Sequence, residues 1–495
     1  MQSNRACQTC RARRIKCDGA KPVCQKCVKS HRTCVEADAA KQQFFAIHIE
    51  NQYVTGEKRR PRGPRSSLVP IHPDFDLKTR AHAYYAQNHF QVFQDMPDVA
   101  TTWTECLHEW KAEGKSSPIV DLAFSSLALS VFARLQNCRP AAAEACKSYL
   151  RLLQHMQSRI LHVNNGNLDA GEVDAYLLAA HFMARYESFV QNHGDATDSE
   201  PLKLINVWSH IDGAAAILKI WYDNRHHYTP TAAIKQTRRK LIKSSLLREQ
   251  PLPRWLADGG LFGERDIALE FDHLIIQFID IRHKYLKLKQ VSEDGTSIPQ
   301  EVDGLINESR KLDQDIQDWS TRLPSKWSYD THVLAETCDY SEDHLYSTTI
   351  LSCARPGYSA VWNEYHATRM LISHTRLQIL DLVVAQPNFA YQSETLECLA
   401  QLNSSADSLA SFVPFCLDYI RMRSHQTSAA SVEISNEPFK PYLASLVVWP
   451  MSLASGLQML EPAQRQWFRS ALFRVSKASS ECLHPYAMSD YWAVC

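Results

Sequence analysis

The amino-acid sequence predicts a small, metal-folded domain followed by a large all-α domain. Six cysteines with a repeated spacing lie within the first 34 of the 495 residues. A stretch containing Arg, Pro and Gly follows them. From about residue 76, apolar residues recur at three- and four-residue intervals, which is the pattern of helices with one buried face. We therefore expect a first domain at 1–35, a linker at 36–75 and a helical domain at 76–495.

The cysteines form one spacing unit, C-x2-C-x6-C, that occurs twice. Its members are Cys7, Cys10, Cys17, Cys24, Cys27 and Cys34. Thiolates suit zinc, and a closed structural zinc site takes four ligands, so six cysteines serve two zinc ions only if two thiolates are shared. The spacing therefore predicts a binuclear zinc cluster with an approximate two-fold. The metal must supply its folding energy, because so short a segment buries too little apolar surface.

A disulfide framework is the alternative explanation of the same cysteines. It needs an oxidising compartment, yet the N-terminal residues contain no apolar run of the kind found in secretory signals. The other nine cysteines have no C-x2-C pairs, so we expect them to be small buried apolar residues. No run approaches the ~18 apolar residues of a membrane span, and no membrane partner is expected.

Charge is distributed unevenly along the chain. The formal net charge is zero, but residues 1–65 hold fifteen Lys and Arg against five Asp and Glu. A basic head on an acidic body is expected if only the head contacts phosphate. The candidate contacts around the cysteines are Arg11, Arg13, Arg14, Lys16, Lys26 and Lys29. A short helix starting at the first C-x2-C would place Arg11 and Arg14 on one face and fit the major groove of double-stranded DNA.

The stretch ACQTCRARRIKCDGAKPVCQKCVKSHRTC resembles the DNA-binding domain of the fungal binuclear zinc-cluster transcription factors. The resemblance implies that Cys7 and Cys24 bridge the two zinc ions. The other ligands would then be Cys10 and Cys17 on one ion, and Cys27 and Cys34 on the other. It also implies that Arg13 and Arg14 are a base-reading pair for CGG-like triplets. The implied function is a nuclear regulator of RNA polymerase II transcription, with the transcription machinery or co-regulators as further partners.

The linker has its own basic run. We consider it a candidate nuclear-localisation signal or an arm along the DNA backbone, and solvated linker charge is the alternative. The run consists of Lys58, Arg59, Arg60, Arg62 and Arg65. Residues 35 to 100 show no a/d heptads, so a coiled-coil dimer is not expected there. The chain either binds as a monomer or forms a homodimer through its C-terminal body.

Helical periodicity extends over most of the body. The predicted helices are 117–137, 141–160, 171–191, 203–223, 231–248, 264–289, 300–321, 344–383, 394–421 and 441–483. Segments such as VWSHIDGAAAILK, PLPRWL and WNEYHATRMLI make the body resemble the regulatory domain of many fungal zinc-cluster factors. That resemblance implies a helical body with a regulatory rather than catalytic role.

Two other functions remain open at this point. One is a helical ligand-binding protein or enzyme that the cluster tethers to DNA, and the other is a protein-interaction cofactor with a purely structural cluster. Asp313, Asp315 and Asp318 are the best candidates for a Mg²⁺ site, but a solvated helix face is the favoured interpretation. Five tryptophans are interpreted as core or as the wall of a ligand pocket rather than as a catalytic cage, and core is the favoured interpretation. They are Trp208, Trp221, Trp255, Trp362 and Trp449.

Overall fold

The computed structural model describes residues 6–35, 76–160, 170–191, 200–224, 229–293, 299–334, 344–383, 389–425, 428–435, 437 and 439–478. The chain divides into two compact units, Met1–Asp74 and Phe75–Cys495. The predicted linker at 36–75, including its basic run at 58–65, lies outside the described residues.

The first unit contains two five-residue helices, α1 (Gln8–Ala12) and α2 (Gln25–Lys29). Each begins directly after the first cysteine of its half. Both are far shorter than a helix that is stable alone in water. Their conformation therefore depends on the cluster of cysteines that they carry.

The second unit, called the body below, is mostly helical, as predicted. Its helices are α3 (Leu77–His89), α4 (Trp103–Ala112), α5 (Pro118–Leu135), α6 (Arg139–Ile160), α7 (Ala170–Gln191), α8 (Glu200–Asp223), α9 (Ala232–Leu247), α10 (Asp266–Glu293), α11 (Pro299–Thr321), α12 (Pro356–Asp381), α13 (Phe389–Cys416), α14 (Val448–Gly456) and α15 (Pro462–Ala478).

Local signals account for several helix starts. The Asp76 carboxylate caps α3 by accepting the Thr79 N–H at 2.7 Å. Thr102 and Glu105 form a capping box at the start of α4. Such caps satisfy backbone N–H groups that have no partner within the helix. Proline at the first position of α5 and of α12 has a backbone angle that suits a helix start.

Two antiparallel hairpins add strands that the periodicity did not predict. The first pairs β1 (Tyr329–Val333) with β2 (Thr349–Cys353), and the second pairs β3 (Ile420–His425) with β4 (Ser428–Ile434). The predicted helix at 344–383 was therefore wrong over its first part. β2 is a five-residue, mostly buried segment, TILSC, and periodicity alone does not distinguish so short a segment from part of a buried helix. The predicted helix at 441–483 is also divided, into a 3-10 turn, α14 and α15.

Apolar side chains of the body form two large buried clusters. One joins residues of α3 to α9, and the other joins residues of α10 to α15 together with the end of α9. Helix α5 has a mean hydropathy of 1.5 over 18 residues, so it meets the length and composition of a membrane span. This contradicts the expectation that no run of the chain approaches a membrane span. However, 61% of that window is buried inside the body, as in a core helix.

The five tryptophans singled out in the sequence lie in or against the hydrophobic clusters of the body. Trp221 is fully buried, and the other four tryptophans pack partly buried against the two clusters.

Asp313 does not lie on a solvated face, because it is buried and accepts the Arg369 Nε–H at 3.0 Å. The Asp313 carboxylate is therefore engaged in an ion pair with Arg369.

The body cysteines that the structure describes fall into two groups. Cys106, Cys353, Cys398 and Cys416 are buried, as predicted, whereas Cys138 is half-buried and Cys146 is exposed. Burial raises the pKa of the Cys398 and Cys416 thiols to about 11. These two thiols therefore remain protonated and behave as small apolar groups. Cys338, Cys482 and Cys495 lie outside the described residues.

Candidate metal centre and nucleic-acid interface

The two halves of the cysteine unit have matching hydrogen bonds. The sulfurs of Cys7 and Cys24 each accept the backbone N–H of the residue three positions later, at 3.4 Å in both halves. The backbone N–H of the same cysteines donates at 3.5 Å to Cys17 Sγ in one half and to Cys34 Sγ in the other. A shift of 17 residues therefore maps one half onto the other. This correspondence is what the predicted approximate two-fold requires.

The six sulfurs lie in two overlapping groups of four. One group is Cys7, Cys10, Cys17 and Cys24, and the other is Cys7, Cys24, Cys27 and Cys34. All the sulfurs of a group lie within 4.8 Å of one another. Cys7 and Cys24 belong to both groups.

The spacing of the sulfurs fits zinc. Tetrahedral zinc with metal–sulfur bonds of about 2.3 Å has neighbouring sulfurs about 3.8 Å apart. The distance between Cys7 Sγ and Cys24 Sγ is 3.7 Å, and that between Cys10 Sγ and Cys24 Sγ is 3.5 Å. The donor set therefore has the ligand type, the number and the separation that two zinc ions sharing two thiolates need.

The environment favours thiolate at the two shared positions. The Cys10 backbone N–H is the main reason that the pKa of the Cys7 thiol lies below its ordinary value. Burial and the Cys7 side chain raise the pKa of Cys24, but the hydrogen bond from the Cys27 backbone N–H and the side chains of Cys27 and Cys10 lower it below its ordinary value. A thiolate, not a thiol, is the form that binds metal.

Cationic side chains surround the buried sulfurs. Residues 6–35 contain eight Lys and Arg and one carboxylate, Asp18, and all nine of these side chains are exposed. The cations are Arg11, Arg13, Arg14, Lys16, Lys21, Lys26, Lys29 and Arg32. A small unit with a cysteine interior therefore presents a strongly positive surface.

Arg11 and Arg14 do not share one helix face, contrary to the prediction. Helix α1 ends at Ala12, Arg13 is its C-cap, and Arg14 has a left-handed backbone with φ of 53°. Its counterpart in the second half, His31, has φ of 47°. The chain must leave the helix here because Cys17 has to turn back to the other sulfurs. Arg14 therefore extends from a turn rather than from the helix.

Residues 5–43 match the family model of the fungal Zn(2)-Cys(6) binuclear cluster domain. The chain carries a fungal binuclear zinc-cluster domain. The six cysteines described above are those of this zinc-cluster domain, and its cofactor is a pair of zinc ions.

Three curated proteins show similarity to parts of the chain. Transcription activator AMTR1 of Alternaria alternata is 39% identical over 57 residues, which is 12% of this chain and 7% of that protein. Transcription regulator galc of Aspergillus niger is 51% identical over 37 residues, 8% of this chain and 4% of that protein. The sorbicillinoid biosynthetic cluster transcription factor sor3 of Hypocrea jecorina is 34% identical over 89 residues, 17% and 13% of the two chains.

These matches cover a small part of each relative, at most 13% of its length. No solved structure matches this one significantly.

Hydrogen bonds that the sequence did not predict join the end of each half of the zinc-cluster domain to the helix of the other half. The Thr9 hydroxyl donates to the Thr33 carbonyl at 2.8 Å and accepts the Val35 N–H at 3.2 Å, which joins α1 to the end of the second half. At the equivalent place in the first half, the Asp18 carboxylate accepts the Gln25 N–H at 3.1 Å. Single hydroxyls and carboxylates have no characteristic spacing, so no sequence pattern indicated these contacts.

Proposed function

We propose that this protein is a nuclear, sequence-specific DNA-binding regulator of RNA polymerase II transcription. The observation that carries the proposal is the exposed cationic surface around the sulfur cluster, with eight Lys and Arg against one carboxylate. A purely structural cluster does not need such a surface. The printed names of the three relatives, a transcription activator, a transcription regulator and a transcription factor, agree with it.

The first part of the proposal concerns the metal ligands. Cys7 and Cys24 bridge the two zinc ions, Cys10 and Cys17 complete one, and Cys27 and Cys34 complete the other. Membership of Cys7 and Cys24 in both sulfur groups supports this assignment. The zinc ions hold α1 and α2 in place and so provide a rigid base for the basic side chains.

The second part concerns DNA recognition. Arg14 is the principal base-reading side chain for CGG-like triplets, and Arg13 beside it belongs to the same DNA-binding surface. A guanidinium matches the O6 and N7 acceptors of guanine in the major groove, and Arg14 lies in an exposed turn just beyond the end of α1. The remaining cations bind phosphates, which position the domain without reading sequence. They are Arg11, Lys16, Lys26 and Lys29.

Substituting Arg14 by alanine tests base reading. Arg14→Ala is expected to cost about 1–3 kcal/mol on the preferred site and less on random DNA, because only the preferred site offers the guanine acceptors. His31→Ala is the matched control, since His31 has the same left-handed backbone in the second half. Equal losses of Arg14→Ala on both DNAs, measured by titration at one salt concentration, would make Arg14 a phosphate contact.

The body regulates and does not contact DNA in this proposal. Helix α9 and its end are rich in Lys and Arg, but carboxylates of the body pair with most of these side chains. The pairs are Lys235–Asp98, Arg238–Asp272, Arg239–Glu264, Lys243–Glu364 and Arg248–Asp212. These side chains are therefore already neutralised, which supports assigning the phosphate contacts to the zinc-cluster domain. Co-regulators, the transcription machinery and a second copy of the chain are the partners that we propose for the body.

Nuclear import is proposed to use the basic run of the linker. Fusing residues 58–65 to a cytoplasmic reporter is expected to move the reporter into the nucleus. The matched control replaces Lys58, Arg59, Arg60, Arg62 and Arg65 with glutamine. A reporter that stays cytoplasmic, seen by fluorescence microscopy, would leave the run as linker charge.

A further inference from the structure

Arg13 and Ser30 occupy equivalent positions in the two halves of the zinc-cluster domain. Ser30 follows Arg13 by 17 residues, the same shift that relates the cysteines. Each is the C-cap of its helix, Arg13 of α1 and Ser30 of α2. The Arg13 Nη1–H donates to Ser30 Oγ at 3.1 Å. A bond between equivalent residues of the two halves joins them across the approximate two-fold axis.

Both partners of this bond are also held locally. The Ser30 hydroxyl donates to the Lys26 carbonyl at 2.8 Å, so its oxygen is fixed at the end of α2. The Arg13 backbone N–H donates within α1, to the carbonyls of Arg11 and Thr9. Because the helices that carry both residues start at shared sulfurs, little additional freedom is lost when the side chains meet.

We propose that Arg13 is a positioning residue that holds Arg14 in place through Ser30, rather than a second base-reading side chain. This inference rests on the proposed DNA-binding function. The bond to Ser30 holds the Arg13 guanidinium against the end of α2 in the free protein, which restricts its freedom to turn towards a base. Arg14 follows Arg13 directly and has a left-handed backbone, so fixing Arg13 fixes the start of the turn that carries the reader. Such preorganisation lowers the cost of ordering on binding.

Ser30→Ala is the informative substitution, because it removes one hydroxyl and changes no charge. The selected duplex is the preferred site recovered from random DNA by binding-site selection with the wild-type protein. In the full-length, zinc-loaded protein, we expect about three- to tenfold weaker binding to this duplex, the range that one net hydrogen bond of ~1 kcal/mol gives. Binding to random duplex and the salt dependence should not change. Ser30→Thr, which keeps the hydroxyl, should bind as the wild type does.

Thr33→Ala is the matched control. Among the described residues, the Thr33 hydroxyl makes no hydrogen bond, although its backbone carbonyl does. Removing the Thr33 hydroxyl should leave the affinities for the selected duplex and for random duplex unchanged. Zinc content, measured for every variant, should stay at two ions per chain.

The double variant separates positioning from an independent effect on α2. If Arg13 acts through Ser30, Arg13→Ala and Arg13→Ala/Ser30→Ala bind the selected duplex with similar affinity, because the second substitution removes nothing further. If the affinity losses of the two single variants multiply in the double variant, the proposal is overturned. It is also overturned if Ser30→Ala binds the selected duplex as tightly as the wild type does. A wild-type protein that prefers no duplex at all would instead refute the proposed function, whatever Ser30 does.

Discussion

Replacing Cys7 or Cys24 with alanine is expected to unfold residues 6–35 and to release both zinc ions. Each of these sulfurs belongs to both groups of four, so a single substitution leaves two incomplete sites. Zinc binding contributes on the order of 10 kcal/mol to the folding of small zinc domains, and α1 and α2 are too short to persist without it. Metal content by mass spectrometry of the native protein, and binding to the selected duplex, measure the result.

Variants of the unshared cysteines sharpen this test. Cys17→Ala and Cys34→Ala each remove a ligand from only one group, so one zinc ion is expected to remain bound more tightly than the other. Cys146→Ala is the control, because that cysteine is exposed in the body and belongs to neither group. A Cys7→Ala protein that still holds two zinc ions would contradict the sharing of that sulfur.

The metal centre was predictable from sequence because ligand geometry is local and chemically restrictive. Six thiols at a doubled spacing leave few ways to complete two four-ligand sites, and the structure brings those sulfurs together. The position of Arg14 was less predictable. Nothing in the sequence indicates that α1 ends at Ala12, because Arg13 and Arg14 favour helices and the turn follows from the need of Cys17 to reach the cluster.

Most helices of the body were also predicted, because the periodicity of a buried face is a property of the segment itself. The bounds of α5, α6, α7 and α11, for example, differ from prediction by at most two residues. The features of the body that the sequence did not predict depend on residues far away in the chain. Strand β2 exists because β1 pairs with it, and Asp313 is buried because Arg369, 56 residues away, neutralises it. Neither partner is recognisable from the local pattern.

The body contains a buried ion-pair network, and breaking it is expected to destabilise the body strongly. Arg238 on α9 is fully buried, and its guanidinium donates to both carboxylate oxygens of Asp272 on α10, at 2.7 and 2.9 Å. Its Nε–H donates to the Leu256 carbonyl at 2.8 Å. The Glu264 carboxylate, paired with Arg239, lies 3.9 Å from Arg238. The network therefore joins the helices that carry the two hydrophobic clusters of the body.

The loop at 258–264 packs closely against one side of the network. A side chain on Gly259 would place its Cβ 2.4 Å from Asp272 Oδ2, so the loop at 258–264 fits tightly over the carboxylate. Without Arg238, the buried Asp272 carboxylate loses both of its hydrogen bonds to the guanidinium, which is the situation that makes broken internal ion pairs costly.

Arg238→Ala is therefore expected to lower the free energy of unfolding of the body by about 3–5 kcal/mol. Arg248→Ala is the matched control, because Arg248 binds Asp212 in the same two-bond geometry, at 2.6 and 2.8 Å, but at the surface. Its expected cost is at most ~1 kcal/mol. The double variant Arg238→Met/Asp272→Leu removes both charges and should recover much of the loss. Urea unfolding followed by circular dichroism measures all three, and a loss below ~1 kcal/mol for Arg238→Ala would show that water or Arg239 compensates the Asp272 carboxylate.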